Sequence, residues 1–184
     1  MSNIALTERQ LIGCFADFIE AGLTVDAIVV SATAKPDNDP ETNWPKLGCI
    51  ESAKFEKEIS GEEFMCPSET GGYVKEKTDK VVADFLNLRS NYMNEHVKRL
   101  EFGLAAPIAL DTPVETHATT TREIFGWLRI TGRKEDGNDD FVMDWWCKMT
   151  LTDALDRNDK TLRPTLRFQK MASTLNTIEF PTPV

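Results

Sequence analysis

The sequence predicts a mainly β protein with a minor helical part, about six or seven strands and two helices. Two runs, 122–132 and 141–151, alternate side chains on either side of a turn. A third run, 49–59, alternates as well, and helical spacing is confined to two short stretches. Strand side chains point alternately to two faces, whereas a helix repeats roughly every 3.6 residues, so the periods tell the elements apart.

Taken in order, Thr7-Glu8-Arg9-Gln10 fits a capping box in which the Thr7 hydroxyl caps the chain and Gln10 reaches back. Leu11, Phe15, Phe18 and Ile19 follow at helical spacing and Gly22 stops the run, which predicts a helix over 8–21. Residues 25–33 are β-rich, and a polar loop with two prolines leads through 35–43 to Trp44-Pro-Lys-Leu-Gly48.

Over 49–59, Glu51, Ala53, Phe55, Lys57 and Ile59 share one face, and Ile50, Ser52, Lys54, Glu56 and Glu58 the other. The second face is largely polar, as expected of a strand with one solvated side. The stretch 60–77 contains Pro67 and Gly71-Gly72 and reads as a long loop, with the apolar pair Phe64-Met65 suited to docking. Residues 79–89 predict another strand. Asn91 caps a helix over 92–102 that Gly103 ends, with Met93, Val97 and Leu100 as its buried stripe. Residues 104–120 form a Pro/Thr-rich connection without periodicity.

The 122–132 and 141–151 runs flank a segment containing Asp136-Gly137, a hairpin signal. Phe141, Met143, Trp145, Cys147, Met149 and Leu151 alternate without a miss, and Ile124, Gly126, Leu128 and Ile130 share a face of the first strand. The opposite face carries Phe125, Trp127 and Trp146, a set that calls for a second layer or a protein interface. Leu166 and Phe168 mark a last strand, and the Pro-rich end, within a region 172–184, is expected to form an extended arm.

The chain has 184 residues, enough for one domain to bury a core without staples. Twenty-one bases against 30 acids give a net charge of −9, a surface that repels nucleic acid and anionic membranes. Residues 37–69 carry nine acids and three bases, while 160–184 carry four bases and one acid, so complementary surfaces between copies are conceivable on charge. No apolar run reaches the roughly 20 residues of a membrane helix, and the first residues lack the pattern of a signal peptide. Cys14, Cys49, Cys66 and Cys147 form no CxxC pair, which argues for a reducing compartment and against a zinc ribbon.

A chemical site is not expected, nor a metal or cofactor. His96 is placed beside Glu95 on a helix surface, and His117 lies in a loop; neither stands near a recognisable nucleophile in sequence. No phosphate-binding glycine motif occurs. The acidic cluster 136–140 has Cys147 where a calcium loop needs its twelfth-position glutamate, and Asp153, Asp156 and Asp159 fit a polar loop.

The order of these features resembles the tail tube proteins of long-tailed bacteriophages. The residues that carry the resemblance are Trp44-Pro-Lys-Leu-Gly48 entering an acidic strand and the segment Glu62-Glu-Phe-Met-Cys-Pro67 to Gly-Gly-Tyr-Val-Lys-Glu76. The strand–helix unit 79–102, the hairpin 122–151 and Arg163-Pro-Thr-Leu-Arg-Phe168 follow, so the resemblance covers about residues 40–175. The helix at 8–21 departs from the family plan.

The resemblance implies an antiparallel β-sandwich or barrel-like core with a flanking helix, similar to the inner tube of type VI secretion systems. It implies hexameric rings of one chain stacked into a tube through which double-stranded DNA passes, in a virion tail assembled in the host cytoplasm. The partners it implies are further copies, the tape measure, terminator and distal tail proteins. On this reading Ser52, Lys54, Glu56 and Glu58 are lumen-facing candidates; Glu62, Glu63, Phe64 and Met65 are ring-to-ring candidates; and Phe125, Trp127 and Trp146 are subunit-interface candidates. Alternatives are another tail ring protein, such as a terminator or completion protein, and a small-ligand-binding barrel with Trp127, Trp145 and Trp146 lining a cavity.

Overall fold

A computed structural model of the chain describes residues 13–37, 44–48, 50–67, 71, 73–90, 94–104, 123–133, 139–152 and 164–180. Alternation is satisfied by an antiparallel sheet that uses both of its faces. Its strands are β1 (Gly13–Glu20), β4 (Ile50–Pro67), β5 (Tyr73–Ser90), β6 (Ile124–Arg133), β7 (Asp139–Leu151), β8 (Thr165–Lys170) and β9 (Thr177–Glu179). They lie in the order β1-β6-β7-β8-β5-β4, with β9 on β7 beyond the end of β8. The short strands β2 (Thr24–Val25) and β3 (Ile28–Val29) make a separate hairpin. Among the described residues one helix, α1 (Glu95–Phe102), accompanies them. The protein is mainly β with minor α, as the alternations predict.

The two ends of the strand order meet. Residues 45–47, which lead into β4, bond the outer edge of β1: the Phe18 N–H donates to the Pro45 carbonyl and the Leu47 N–H to that of Ala16, both at 2.9 Å. The sheet thereby curls on itself in a barrel-like way. Gly48, at φ 96°, lets the chain bend from this edge into β4.

Inside the curl lies the main core, formed by Phe18, Leu86, Leu88, Leu128, Ile130, Met143, Met149, Leu166 and Phe168, all buried. The predicted core face of 141–151 points here. Cys147 serves as a small core residue, its thiol pushed far above the ordinary range by burial, and helix α1 adds Val97 and Leu100. Asn94, not Asn91, caps α1: its Oδ1 accepts from the Val97 N–H at 2.9 Å, and its Nδ2 donates to the Leu47 carbonyl at 3.0 Å. Gly103 closes the helix at φ 70° and donates its N–H to the Arg99 carbonyl. Asn91 and Met93 lie outside the described residues.

The region expected to be a helix over 8–21 is strand β1 from residue 13 onward, and the residues before 13 lie outside the described ones. The C-terminal part of β1 is covered on both faces: Ala16 and Phe18 meet the main core and Ile19 a second cluster, while Phe15 stays 49% exposed. A strand buried on both faces reads as a near-continuous apolar run, which here mimics helical spacing. The β-rich stretch 25–33 begins in the tight hairpin of β2 and β3, and the loop expected over 60–77 is the far part of β4 and β5, paired through Pro67 and Tyr73. The end expected as an extended arm runs extended over Thr177–Glu179, but folds back on β7.

The second cluster is a small outer layer. Trp127 and Trp146 are direct partners on β6 and β7, their rings 5.6 Å apart, and Ile19, Val30 and Trp44 cover them. The Trp127 indole donates to the Ser31 carbonyl at 2.9 Å. Beside them Asp144 accepts two hydrogen bonds from Arg129 and one of 2.6 Å from Lys35. Burial alone would raise the Asp144 pKa, but these bonds and the charges behind them outweigh it and hold the carboxyl below its usual range. Arg129 is shifted upward by the same pair.

Candidate assembly surface

The sequence-predicted candidates fall in three places. Phe125, Trp127 and Trp146 lie on one face of adjacent strands, as the alternation requires. Their assignment to a subunit interface is corrected, however: Trp127 is 0% and Trp146 9% exposed, covered by the chain's own Ile19, Val30 and Trp44, with Phe125 packed against the same cluster. The sequence shows the need for a second layer but not that the chain supplies it. The cavity with three tryptophans is not formed either, because Trp145 points to the main core on the opposite side of β7.

Ser52, Lys54, Glu56 and Glu58 lie along β4, and all but the half-buried Glu56 are exposed. Register sets them opposite Arg89, Asn87, Phe85 and Ala83 on β5, and Arg89, Asn87 and Phe85 in turn oppose Thr165, Arg167 and Gln169 on β8. Directly opposed residues share a face. Arg89 and Arg167, which the sequence reading did not include, therefore belong to the same surface, and only the pairing register reveals them. Lys54 and Glu56 form an ion pair at 2.8 Å, and the Arg167 guanidinium lies 3.9 Å from the centre of the Phe85 ring. Hydrogen bonds from Lys54 and then Asn87 lower the Glu56 pKa. This face mixes paired charges instead of presenting carboxylates alone.

Glu62, Glu63, Phe64 and Met65 sit in the far part of β4, and Met65 is exposed. Strand β5 pairs with β8 only over Phe85–Arg89. Residues 73–84, with the opposed part of β4, thus form a two-stranded arm with no third strand among the described residues. Ile59, Val81 and Val82 on the arm are exposed. A bare two-stranded ribbon is marginal in water, and such open edges invite pairing with another chain.

Where the arm leaves the sheet it opens a cleft of about 430 Å³ against β7 and β9, lined by Phe55, Lys57, Met143, Trp145, Lys170 and Ile178 among others. Phe55 meets Trp145 edge to face at 5.8 Å between centroids, and Lys170 lies over the same indole at 5.3 Å. Met143 and Ile178 are register partners. No local pattern marks this cleft, since Ile178 sits in a Pro-rich tail whose return onto β7 carries no periodicity.

His96, expected on a helix surface, is half-buried, its ring edge-to-face with Phe18 at 5.2 Å. Burial pushes its pKa down to about 4, opposed by Glu20 and assisted by Arg99. Among the described residues no group of three or more His, Cys, Asp or Glu side chains is placed to hold a metal ion. His117, Asp136, Asp153, Asp156 and Asp159 lie outside the described residues.

No protein-family model and no curated protein matches the chain. Among solved structures, the sheath/tube terminator of an extracellular contractile injection system (PVC) in its extended state is similar at TM-score 0.42 and 8% identity, over 92% of this chain and 95% of that one. The tube-terminating cap of the anti-feeding prophage is similar at TM-score 0.40 and 10% identity, over 91% of this chain and 88% of that one.

Proposed function

We propose that the chain is a non-enzymatic structural protein of a phage tail-like particle, whose copies join side by side into rings, hexameric by family resemblance, that stack into a tube for linear double-stranded DNA. The observation that carries this reading is the arm of β4 and β5: two long strands that leave their own sheet with open edges and an exposed apolar strip. Ribbons of this kind gain stability when neighbours complete the sheet, and closure into a ring removes every open edge.

The polar face of β4 suits a lumen. Its charges are of both signs and partly paired, so it offers little grip to a phosphate backbone, while the net charge of −9 keeps DNA from adhering elsewhere. Ser52, Lys54, Glu56 and Glu58 remain the lumen candidates. Replacing Glu56 and Glu58 with lysine should slow DNA delivery with the fold intact; unchanged delivery removes the lumen assignment.

Negative-stain microscopy of the purified chain at low and high concentration tests the reading. Rings that lengthen into tubes with concentration support it. Single rings that never lengthen would assign the chain to the end of a tube, and separate particles at every concentration would overturn both.

A further inference from the structure

We propose that the base of the arm is a strap: in the unassembled chain it swings about Val82 until the free edge of β5 pairs with β9, and this closed position withholds the chain from assembly. The proposal goes beyond the ring-forming reading, because the movement takes place within one chain.

Two unpaired edges border the cleft. Strand β9 lies on the side of β7 that β8 occupies further along, since β6 takes the other side at the same residues. The second edge of β9 has no partner among the described residues, and neither has the β8-facing edge of β5 before Phe85. The cleft runs between them, with Asp84 and Phe85 on one side and Thr177 and Ile178 on the other. Edges of this kind invite pairing, and here one chain holds both.

The fork where the two edges part is built to move. Asp84 and Lys170 would be the next pair beyond Phe85 and Gln169, yet their charged groups stand 4.0 Å apart. Oδ1 of Asp84 is buried and has no hydrogen-bond partner among the described residues, a costly state that a shift of the fork toward Lys170 or Asn176 relieves. These three residues also border a second hollow of about 840 Å³, on the side of Ala32 and Met171, so the gap is open on both faces of the sheet. Just beyond the fork, Glu58 pairs with Ala83 and Ile59 with Val81, which leaves Val82 as a bulge. A bulge bends its strand and supplies the pivot.

The register of closure follows from the existing pairs. From Cys147 to Asp144 strand β7 covers three residues, while its partners run from Lys170 to Thr177, seven residues, so the 171–176 turn loops out four. Carrying the β5–β8 register past these four sets Thr177 opposite Val81. Closure seals the exposed Phe55 and Ile178 and takes one edge of the arm out of reach of a neighbour.

The test locks the strap in the full chain. Cys66 is replaced by Ser, and Val81→Cys and Thr177→Cys are introduced together, both at exposed positions. The protein is oxidised mildly while dilute enough to sediment as a monomer. A disulfide requires Cα atoms within about 7 Å, so the expected result is a bond within the chain, read as faster migration on a non-reducing gel. It should form at a rate independent of protein concentration, and not in a control that pairs Met65→Cys with Thr177→Cys. The locked chain should need at least a tenfold higher concentration to scatter light as assemblies, and dithiothreitol should restore assembly. Absence of the bond overturns the strap and leaves the ring reading standing. A bond that forms while locked and reduced chains assemble alike overturns the hold on assembly. A wild-type chain that never assembles overturns the ring reading alone, and the bond still decides the strap.

Discussion

Arg129 and Asp144 face each other across β6 and β7 through two hydrogen bonds, Nε to Oδ1 at 2.7 Å and Nη2 to Oδ2 at 2.6 Å. Lys35 adds a third at 2.6 Å from a segment outside the sheet, so one carboxylate ties the outer layer to the strands beneath. Arg129 also lies over the Trp44 ring and Lys35 over Trp127, which joins the charges to the aromatic cluster.

Removing Asp144 leaves two cations beside a buried aromatic layer. Asp144→Ala should therefore destabilise the fold by roughly 3–5 kcal/mol, as expected when one member of a buried ion pair is lost. Lys35→Met keeps the Arg129 pair and should cost only about 1 kcal/mol. Urea unfolding followed by tryptophan fluorescence measures both; equal losses would mean that the Arg129 bonds are not the dominant tie.

Gly126 is fixed by contact rather than by backbone angle. A Cβ there would stand 2.2 Å from the Ile19 carbonyl oxygen and 2.6 Å from Cζ of Phe18. The carbonyl belongs to β1, the partner strand, and cannot move without breaking the pairing, while Phe18 fills the core. Gly126→Ala should cost roughly 3 kcal/mol or more, in the range of overpacked cores. A thermal melt within about 2 °C of wild type would contradict this packing.

Acid should weaken the protein in two separate windows. His96 has its pKa lowered from 6.5 to about 4, so between those values the unfolded chain binds a proton that the folded chain refuses. Stability should then fall with falling pH from about 6.5 to about 4, by up to roughly 3 kcal/mol, and this slope should flatten below. Asp144 behaves differently: its depressed carboxylate contributes stability above the unfolded value of 3.8 that is lost as pH drops through the folded value. His96→Phe, which keeps a ring beside Phe18, should remove the first window and leave the second. Urea midpoints measured from pH 8 to pH 3 separate the two.

Much of the fold is legible in the sequence where one face of a strand is buried and the other is not. The 141–151 alternation locates the core face of β7 residue by residue, and Gly103 marks the end of α1 because only its left-handed turn closes that helix. Legibility fails in two opposite situations. Strand β1 is covered on both faces at Phe18 and Ile19, so these adjacent apolar residues, with Phe15 before them, imitate a helix. The far part of β4 and β5 pairs only with itself among the described residues, and no alternation marks it, so Pro67 and Gly71-Gly72 read as a loop. The candidate assembly surface depends on register: which of Arg89, Arg167 and Ile178 lies beside a given β4 or β7 residue is set by pairing across the sheet, and no local pattern encodes it.

The arm itself makes the last prediction. Ile59, Val81 and Val82 are exposed and lie outside both core clusters, so in the isolated chain their apolar surface contributes little to folding. Replacing all three with threonine preserves β-branching and strand propensity while adding a hydroxyl to each. Surface changes of this kind usually stay within about 0.5 kcal/mol each, so the melting transition of the isolated chain should hardly move. Association should suffer much more, because each valine or isoleucine that would be buried between copies supplies roughly 1 kcal/mol or more of apolar transfer. Three such losses shift an association constant by about a hundredfold, since each 1.4 kcal/mol is a factor of about ten. Light scattering against concentration reads the shift directly: a triple variant that melts like wild type and assembles at wild-type concentrations would show that the apolar strip is not where copies meet.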